Sequence, residues 1–177
     1  MDGAGAAPDL IDPIIGFRQW RLVDRSLTSM YSDSRWSEVQ VSASCPHGAH
    51  QPNEVPDHRC TCGIYAYYNP CPRTASAVTK ELVGGAVVVW GNVELHGTGL
   101  RAEHAQVVGL ELPLSLGAKR RAVLEVAEEL GVPAVAHRRL RRLALEYGRP
   151  VDRSLRPPRI RGANRWSPSR RQPRRWA

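Results

Sequence analysis

The chain has 177 residues, enough for one folded domain with flanking segments, and its hydrophobic fraction of 42% is ordinary for a soluble globular protein. Its net charge of +8 is unevenly placed. Residues 149–177 carry ten arginines and one aspartate, which gives +9 and leaves −1 for residues 1–148. This distribution excludes a uniformly basic domain, so any electrostatic attraction to an acidic partner is expected from the C-terminal segment.

The N-terminal stretch MDGAGAAPDLIDP carries acids instead of a basic region, and no long apolar run follows it. This pattern predicts neither a signal peptide nor a transmembrane span, so we expect a cytoplasmic protein with no membrane partner. In a reducing compartment, clustered cysteines more often bind metal or do redox work than form structural disulfides. Residues 1–13 are small, acidic and proline-marked, which predicts a disordered N-terminus.

Alternating patterns predict three short antiparallel strands at the start of the domain. FRQWRLVD (17–24) has a period of two, a turn follows, and SLTSMY (26–31) leads to SEVQVSAS (37–44), whose apolar residues again lie on one side. The third strand delivers the chain to Cys45.

The middle of the chain is a proline-rich cysteine loop followed by the strongest β signal. Residues 45–71 contain all four cysteines, GIYAYY (63–68) is compatible with a strand or a short helix, and TASAVTKEL (74–82) predicts a short helix. Between residues 82 and 113, GGAVVVWGNVEL and LRAEHAQVVGLEL flank an HGTG turn and predict a hairpin. Its glycines predict bulges or bends, as in a sharply curled sheet; they are Gly84, Gly85 and Gly91.

Helical patterns follow the hairpin. Ser115 is a candidate N-cap for GAKRRAVLEVAEEL, Gly131 ends that helix, and Pro133 opens a second stretch, AVAHRRLRRLALEY. Residues 149–177 are rich in Arg, Pro, Ser and Trp, which predicts a disordered basic tail. The predicted fold class is α+β: one domain at 14–148, with a curled antiparallel sheet or small open barrel, a metal-binding cysteine loop and C-terminal helices.

The cysteines and histidines of the loop predict a structural zinc site. Zinc takes four thiolate or imidazole ligands in a tetrahedron. Cys60 and Cys62 are two residues apart, so both side chains leave one face of an extended backbone, and Cys45 provides a second arm. The fourth ligand is open among four residues, with the first choice first: His50, His58, His47 and Cys71.

Three other interpretations of the cysteines stay open. They are free thiols, a disulfide between two of the four, and an iron–sulfur cluster on all four. The surrounding histidines and prolines favour zinc. Four protein ligands would make the ion structural, because only an open coordination position supports hydrolytic chemistry.

Three segments resemble a family of small, uncharacterised actinobacterial proteins: FRQWRLVDRSLTS (17–29), CTCGIYAYY (60–68) and WGNVELHGTGLRAEHA (90–105). That family has a tryptophan-rich first strand, a C-x-C-G-I-Y-A loop and a W-G-x-V-x-x-H-x-x-G-x-R-A-E-x-A hairpin. The resemblance covers about residues 15–135 and implies a shared fold, with no activity attached. It also implies a histidine shortly before the C-x-C pair; an ungapped match from Pro56 places Asn53 there, and His50 fits only with an insertion.

Polar residues gather about the HGTGL turn and are candidates for a ligand-binding or acid–base site. They are His96, Arg101, Glu103 and His104. Arg101 and Glu103 are two residues apart and would share a face, where they could clamp an anionic ligand or pair with each other. A solvated hairpin with a cross-strand ion pair is the favoured alternative. No Ser/His/Asp order, phosphate-binding glycine loop or HExxH helix occurs, so the sequence favours a binding protein over an enzyme.

The C-terminal half of the chain has sequence features that are typical of nucleic-acid-binding proteins. Ala127 and Gly131 have the spacing of a helix-turn-helix, although His137 stands where that motif expects an aliphatic residue and GVPAV (131–135) could instead form a strand on the sheet. Arginines of the second helix and the tail are the candidate phosphate contacts: Arg138, Arg139, Arg141, Arg142, Arg159, Arg161, Arg165, Arg170, Arg171, Arg174 and Arg175.

The leading functional hypothesis is thus a non-enzymatic, zinc-stabilised binding module that contacts nucleic acid through its arginine-rich tail. One alternative is a small enzyme or ligand-binding protein that uses the polar hairpin residues near the metal. Another is a protein-interaction adaptor, for which the sequence offers no specific mark.

Overall fold

A computed structural model describes residues 13–30, 34–71, 81–114 and 116–158 and has an α+β fold. The predicted N-terminal segment up to residue 12, most of the predicted helix at 74–82, the cap at Ser115 and the arginines from Arg159 onward lie outside these residues. The strands are β1 (Ile14–Val23), β2 (Ser26–Ser29), β3 (Arg35–Trp36), β4 (Gln40–Ser42), β5 (Ile64–Tyr67), β6 (Leu82–Leu95), β7 (Gly99–Glu111) and β8 (Ala134–Val135), and the helices are α1 (Ala118–Glu129) and α2 (His137–Ala144).

The hairpin of β6 and β7 is the largest element, as its dense β-branched sequence predicts. The two strands pair from Gly85↔Leu110 to Leu95↔Leu100, with register shifts after Ala86 and between Trp90 and Val93. Gly91 lies in the second irregularity with φ +77, a conformation that side chains with a Cβ rarely adopt. These bulges bend the hairpin and curl the sheet.

The curled sheet is not a clean barrel. β1 pairs with β6, β6 with β7, and β7 with β5, and β5 returns to β1 through a single residue pair, Phe17↔Tyr67. β2 and β3, β4 and β8 branch from this ring. The sheet is also mixed rather than purely antiparallel, because β8 follows β7 through α1 and therefore runs parallel to it.

Two elements differ from their predicted partners. The strand before the cysteine loop is short, and it pairs with β7 through Val41↔Ala105 instead of with the first two strands. The second helical stretch begins as β8, so α2 starts only at His137. The α1–α2 connection is therefore a strand on the sheet, as the alternative reading of GVPAV predicted, and the two helices do not form a helix-turn-helix.

The core lies on both sides of the sheet. Trp20 is fully buried and meets Trp36 edge to face at 5.3 Å between ring centroids, which makes it a packing residue as expected. On the other side, Leu140 and Ala144 bury one face of α2 against a second cluster that includes Phe17. This packing holds α2 against the face of the sheet that bears the second cluster.

The packed domain extends past the predicted boundary at residue 148. The Ile15 amide donates to the Arg149 carbonyl at 2.9 Å, and the Arg149 amide donates to the Pro13 carbonyl at 2.9 Å. Val151 is buried in the main core. The Arg156 side chain also donates to the Val151 carbonyl, so residues 149–156 pack with the domain. Among the described residues, no helix is long and apolar enough to cross a membrane.

Candidate metal centre

Four side chains converge at the base of the cysteine loop. They are Cys45, His50, Cys60 and Cys62, and their ligand atoms all lie within 4.8 Å of one another. Cys45 follows β4, and Cys62 precedes β5, so two strands of the sheet hold the two arms of the loop. The structure therefore brings together three thiols and one imidazole that could hold a metal ion.

The spacing of these atoms is close to that of a zinc tetrahedron. Zn–S bonds of about 2.3 Å and Zn–N bonds of about 2.0 Å place two sulfurs roughly 3.8 Å apart and a sulfur and a nitrogen roughly 3.6 Å apart. Here Cys45 Sγ lies 3.9 Å from Cys60 Sγ and 3.3 Å from His50 Nδ1. His50 Nδ1 lies 3.9 Å from Cys62 Sγ. The remaining distances between ligand atoms are at most 4.8 Å, so an ion could enter if the ligands moved together by up to about 1 Å.

Tight turns set up the ligands. Gly48, at φ +62, donates its amide to the Cys45 carbonyl at 3.1 Å, and the Cys60 amide donates to the Asp57 carbonyl at 3.1 Å. The Asp57 amide in turn donates to Cys62 Sγ at 3.5 Å. Amide donors of this kind stabilise thiolate, the form of cysteine that binds metal.

The His50 ring is oriented from both sides. Its Nδ1 faces the sulfurs, while its Nε2 lies 3.7 Å from Asp57 Oδ1. A carboxylate behind a ligating imidazole fixes the ring and raises its basicity, as is common around bound zinc.

Cys45 and His50 shift each other's pKa even without metal. Partial burial opposes ionisation of Cys45, but hydrogen bonds from the His50 side chain and from the backbone of His47 and Ala49 outweigh it and lower the pKa of Cys45 to about 6. The same hydrogen bond to Cys45, aided by the Asp57 charge, raises the pKa of His50. The buried Cys62 differs, since desolvation raises its pKa.

Arg101 locks the loop to the hairpin. Its side chain is 5% exposed, and Nη1 donates to the carbonyls of Cys60 and Cys62, the latter at 3.0 Å. Nη2 donates to the Asp57 carbonyl at 3.1 Å and to the Glu94 carboxylate. Sheet register explains the arrangement, because Glu94 on β6 and Tyr65 on β5 are the direct neighbours of Arg101 on β7. This buried cation thus holds both cysteines of the C-x-C pair by their backbone.

Gly63 permits this close approach. It has φ +110, and a Cβ there would lie 2.9 Å from Pro56 Cβ and 3.2 Å from Arg101 Cβ. The glycine after the C-x-C pair is therefore required by the packing of the loop against Arg101.

The other candidates for the fourth ligand lie elsewhere. The His58 side chain is 72% exposed and is 4.0 Å from the Asp57 carboxylate, and His47 is exposed. Cys71 is outside the cluster, and burial raises its pKa to about 11. Asn53, which the family match places at the histidine position, accepts a hydrogen bond from Asn92 through its carbonyl at 2.9 Å.

The polar hairpin residues divide into two groups. Arg101 forms a cross-strand ion pair with Glu94 and does not pair with Glu103, and His96 Nε2 lies 3.3 Å from the same Glu94. The expected cross-strand pair is thus present, but Arg101 is buried where a solvated hairpin was expected. Glu103 accepts from the Asn92 amide at 3.0 Å and lies beside His104. His104 also contacts Ser42 Oγ at 2.9 Å and stacks on Trp90, which therefore packs at the rim.

A cavity of about 260 Å³ lies between the loop and the hairpin. It is lined by Pro56, Asp57, His58, Asn92, Val93 and Glu94. His96, Arg101, Glu103 and His104 are not among its lining residues.

The arginines of α2 are placed on the surface. Arg138, Arg139, Arg141 and Arg142 are all exposed, and the remaining candidate phosphate contacts lie outside the described residues.

The sequence predicts the four converging side chains but not the groups that hold them. Glu94 could have been predicted as a partner of Arg101, because counting outward from the HGTG turn pairs Leu95 with Leu100 and Glu94 with Arg101. Asp57 carried no recognisable signal, because its role depends on a turn within an irregular loop. No family model, curated protein or solved structure matches this chain.

Proposed function

We propose that the protein is a non-enzymatic binding module whose cysteine loop is held by a structural zinc ion. The observation that carries this proposal is the convergence of Cys45, His50, Cys60 and Cys62 at distances close to those of a zinc tetrahedron. Three thiolates and one imidazole fill all four positions, and a closed site of this composition is typical of structural zinc.

The surroundings of the site support a structural role over catalysis. Three thiolates and Zn²⁺ carry a net charge of −1, and the buried Arg101 guanidinium, which also pairs with Glu94, donates to the backbone carbonyls of two of these cysteines. A reducing cytoplasmic setting would keep the thiols available as ligands. The role of the ion is then to fix the loop between β4 and β5.

Metal content tests this proposal. Full-length protein purified without added metal should contain about one zinc per chain by mass spectrometry, as a closed site requires. Cys60→Ser should lose the metal, whereas Cys71→Ser should keep it, because Cys71 lies outside the cluster. Folded wild-type protein without metal would overturn the proposal, and iron with visible charge-transfer absorption would replace zinc by an iron–sulfur cluster.

The finer part of the proposal is that the module binds nucleic acid through its arginine-rich tail. Its support is the charge of +7 over residues 157–177, which hold seven arginines and no acid, with tryptophans that can stack on bases. Substituting Arg170, Arg171, Arg174 and Arg175 with Gln in the full chain should weaken binding to a labelled single strand of about 20 nucleotides and flatten its salt dependence, by about 0.7 in slope per lost phosphate contact. Unchanged binding would remove the tail from the proposal.

A further inference from the structure

One face of helix α2 is basic and exposed. Leu140 and Ala144 are buried against the sheet, while Arg138, Arg139, Arg141 and Arg142 are all exposed. The helix contains no acid, and among the described residues none of the four arginines pairs with a carboxylate. Four positive charges therefore lie together on a rigid element.

This arrangement costs stability in the free protein. Arg138 and Arg142 are four residues apart, and like charges at that spacing repel by a few tenths of a kcal/mol. α1 shows the contrast: Lys119 donates to the Leu82 carbonyl at 2.7 Å and Arg120 to the Pro113 carbonyl at 3.0 Å. Two of the three cations of α1 thus hydrogen-bond to backbone carbonyls, whereas most of those on α2 are available to an external anion.

A fifth arginine, Arg156, is held close to the residues that α2 contacts. Arg141 Nη1 donates to Asn69 Oδ1 at 3.1 Å. The Arg156 guanidinium lies over the neighbouring Tyr68 ring, with its carbon 4.4 Å from the ring centroid. Arg156 also donates to the Val151 carbonyl at 2.7 Å. Arg156 is thus held one residue from the partner of Arg141, so its positive charge lies close to the helix arginines.

We propose that the exposed arginines of α2 form a surface that binds the phosphate backbone of duplex nucleic acid. This inference rests on the nucleic-acid contact of the proposed function and assigns it a folded surface. A duplex fits better than a single strand because α2 has no aromatic residue on which bases could stack. Contacts from arginines of a helix lying flat on a sheet fix the position of a duplex without reading its sequence.

The test uses full-length protein and fluorescence anisotropy with a labelled duplex of about 20 base pairs, titrated at several salt concentrations. Arg138→Gln with Arg142→Gln should weaken binding and reduce the salt slope by about two, since each phosphate contact contributes about 0.9. The matched control is Arg35→Gln with Arg121→Gln, which removes the same charge from exposed positions elsewhere. We expect its salt slope to stay at the wild-type value.

Each other outcome overturns the inference in a recognisable way. Equal effects of the two double variants would indicate general charge attraction without a defined surface. Loss of binding only in the tail variant would keep the proposed function and reject α2. Absence of wild-type binding to duplex and single strand at low salt would reject both, and arginine-dependent binding to anionic phospholipid vesicles alone would assign the face to a membrane surface. Circular dichroism of every variant excludes misfolding as the cause.

Discussion

The β6–β7 hairpin and the cysteine loop at residues 45–63 hold their shapes by different means. The hairpin buries a row of apolar side chains, including Val87, Val89 and Leu100, and satisfies its backbone in a regular ladder. In the loop, only Val55 and Cys62 are buried, and the regular structure is one short 3₁₀ turn at Pro52–Glu54. Burial thus suffices for the hairpin, whereas the loop depends on its ligand cluster and on Arg101.

Metal removal should separate the two regions most sharply. A chelator should raise amide exchange in the loop, for example at Cys60, toward the unprotected rate, because few apolar contacts remain to hold it. Amides of β6 and β7 should stay protected, since their core does not include the metal. Hydrogen exchange with mass spectrometry measures both regions in one sample. Simultaneous loss of protection in the hairpin would show instead that loop and hairpin unfold as one unit.

Removing Arg101 should have the next largest effect. Arg101→Met leaves the carbonyls of Cys60, Cys62 and Asp57 and the Glu94 carboxylate without their donor. Loss of one partner of a buried ion pair costs about 3–5 kcal/mol, which urea denaturation should detect. Metal should also transfer faster to a competing chelator, because the backbone of the C-x-C pair is no longer held.

Leu110→Ala is the matched change in the hairpin. Leu110 is fully buried, and truncation of such a residue costs about 2–5 kcal/mol. The free energy of unfolding should therefore fall by a similar amount in both variants, but metal transfer should accelerate only in Arg101→Met. If both variants released metal equally fast, the stability of the whole domain would control the site, and Arg101 would have no special role.

The regular part of the fold could be read from the sequence because its signals are local. Period-two alternation marked β1, a dense run of β-branched residues and the HGTG turn marked the hairpin, Gly91 marked a bulge, and Gly131, with φ +66, ended the first helix as expected. The four converging side chains were also predictable, since C-x-C spacing and one preceding strand limit where the ligands can meet.

Pairings between distant segments could not be read in this way. β4 and β8 both join β7, and neither is long enough to carry a periodic pattern that specifies its partner. The sequence pattern places Arg101 on the surface of a hairpin, but in the structure the cysteine loop covers it. Its burial depends on Gly63 and on a cross-strand carboxylate, and both are consequences of tertiary packing.

The smallest expected effect compares two cysteines in the metal-free protein. Thiolate is the form that reacts with iodoacetamide, so alkylation of Cys45 should rise with pH around a midpoint near 6, the pKa that its hydrogen bond to His50 supports. Because that pKa is lowered on folding, ionised Cys45 stabilises the loop at alkaline pH, and this contribution is lost as the pH falls through about 6. Cys71 should stay nearly unreactive below pH 9, since burial raises its pKa to about 11. His50→Gln should move the Cys45 midpoint upward and leave Cys71 unchanged, as peptide mass spectrometry can measure. Equal midpoints for Cys45 in wild type and variant would mean that His50 does not polarise the thiol.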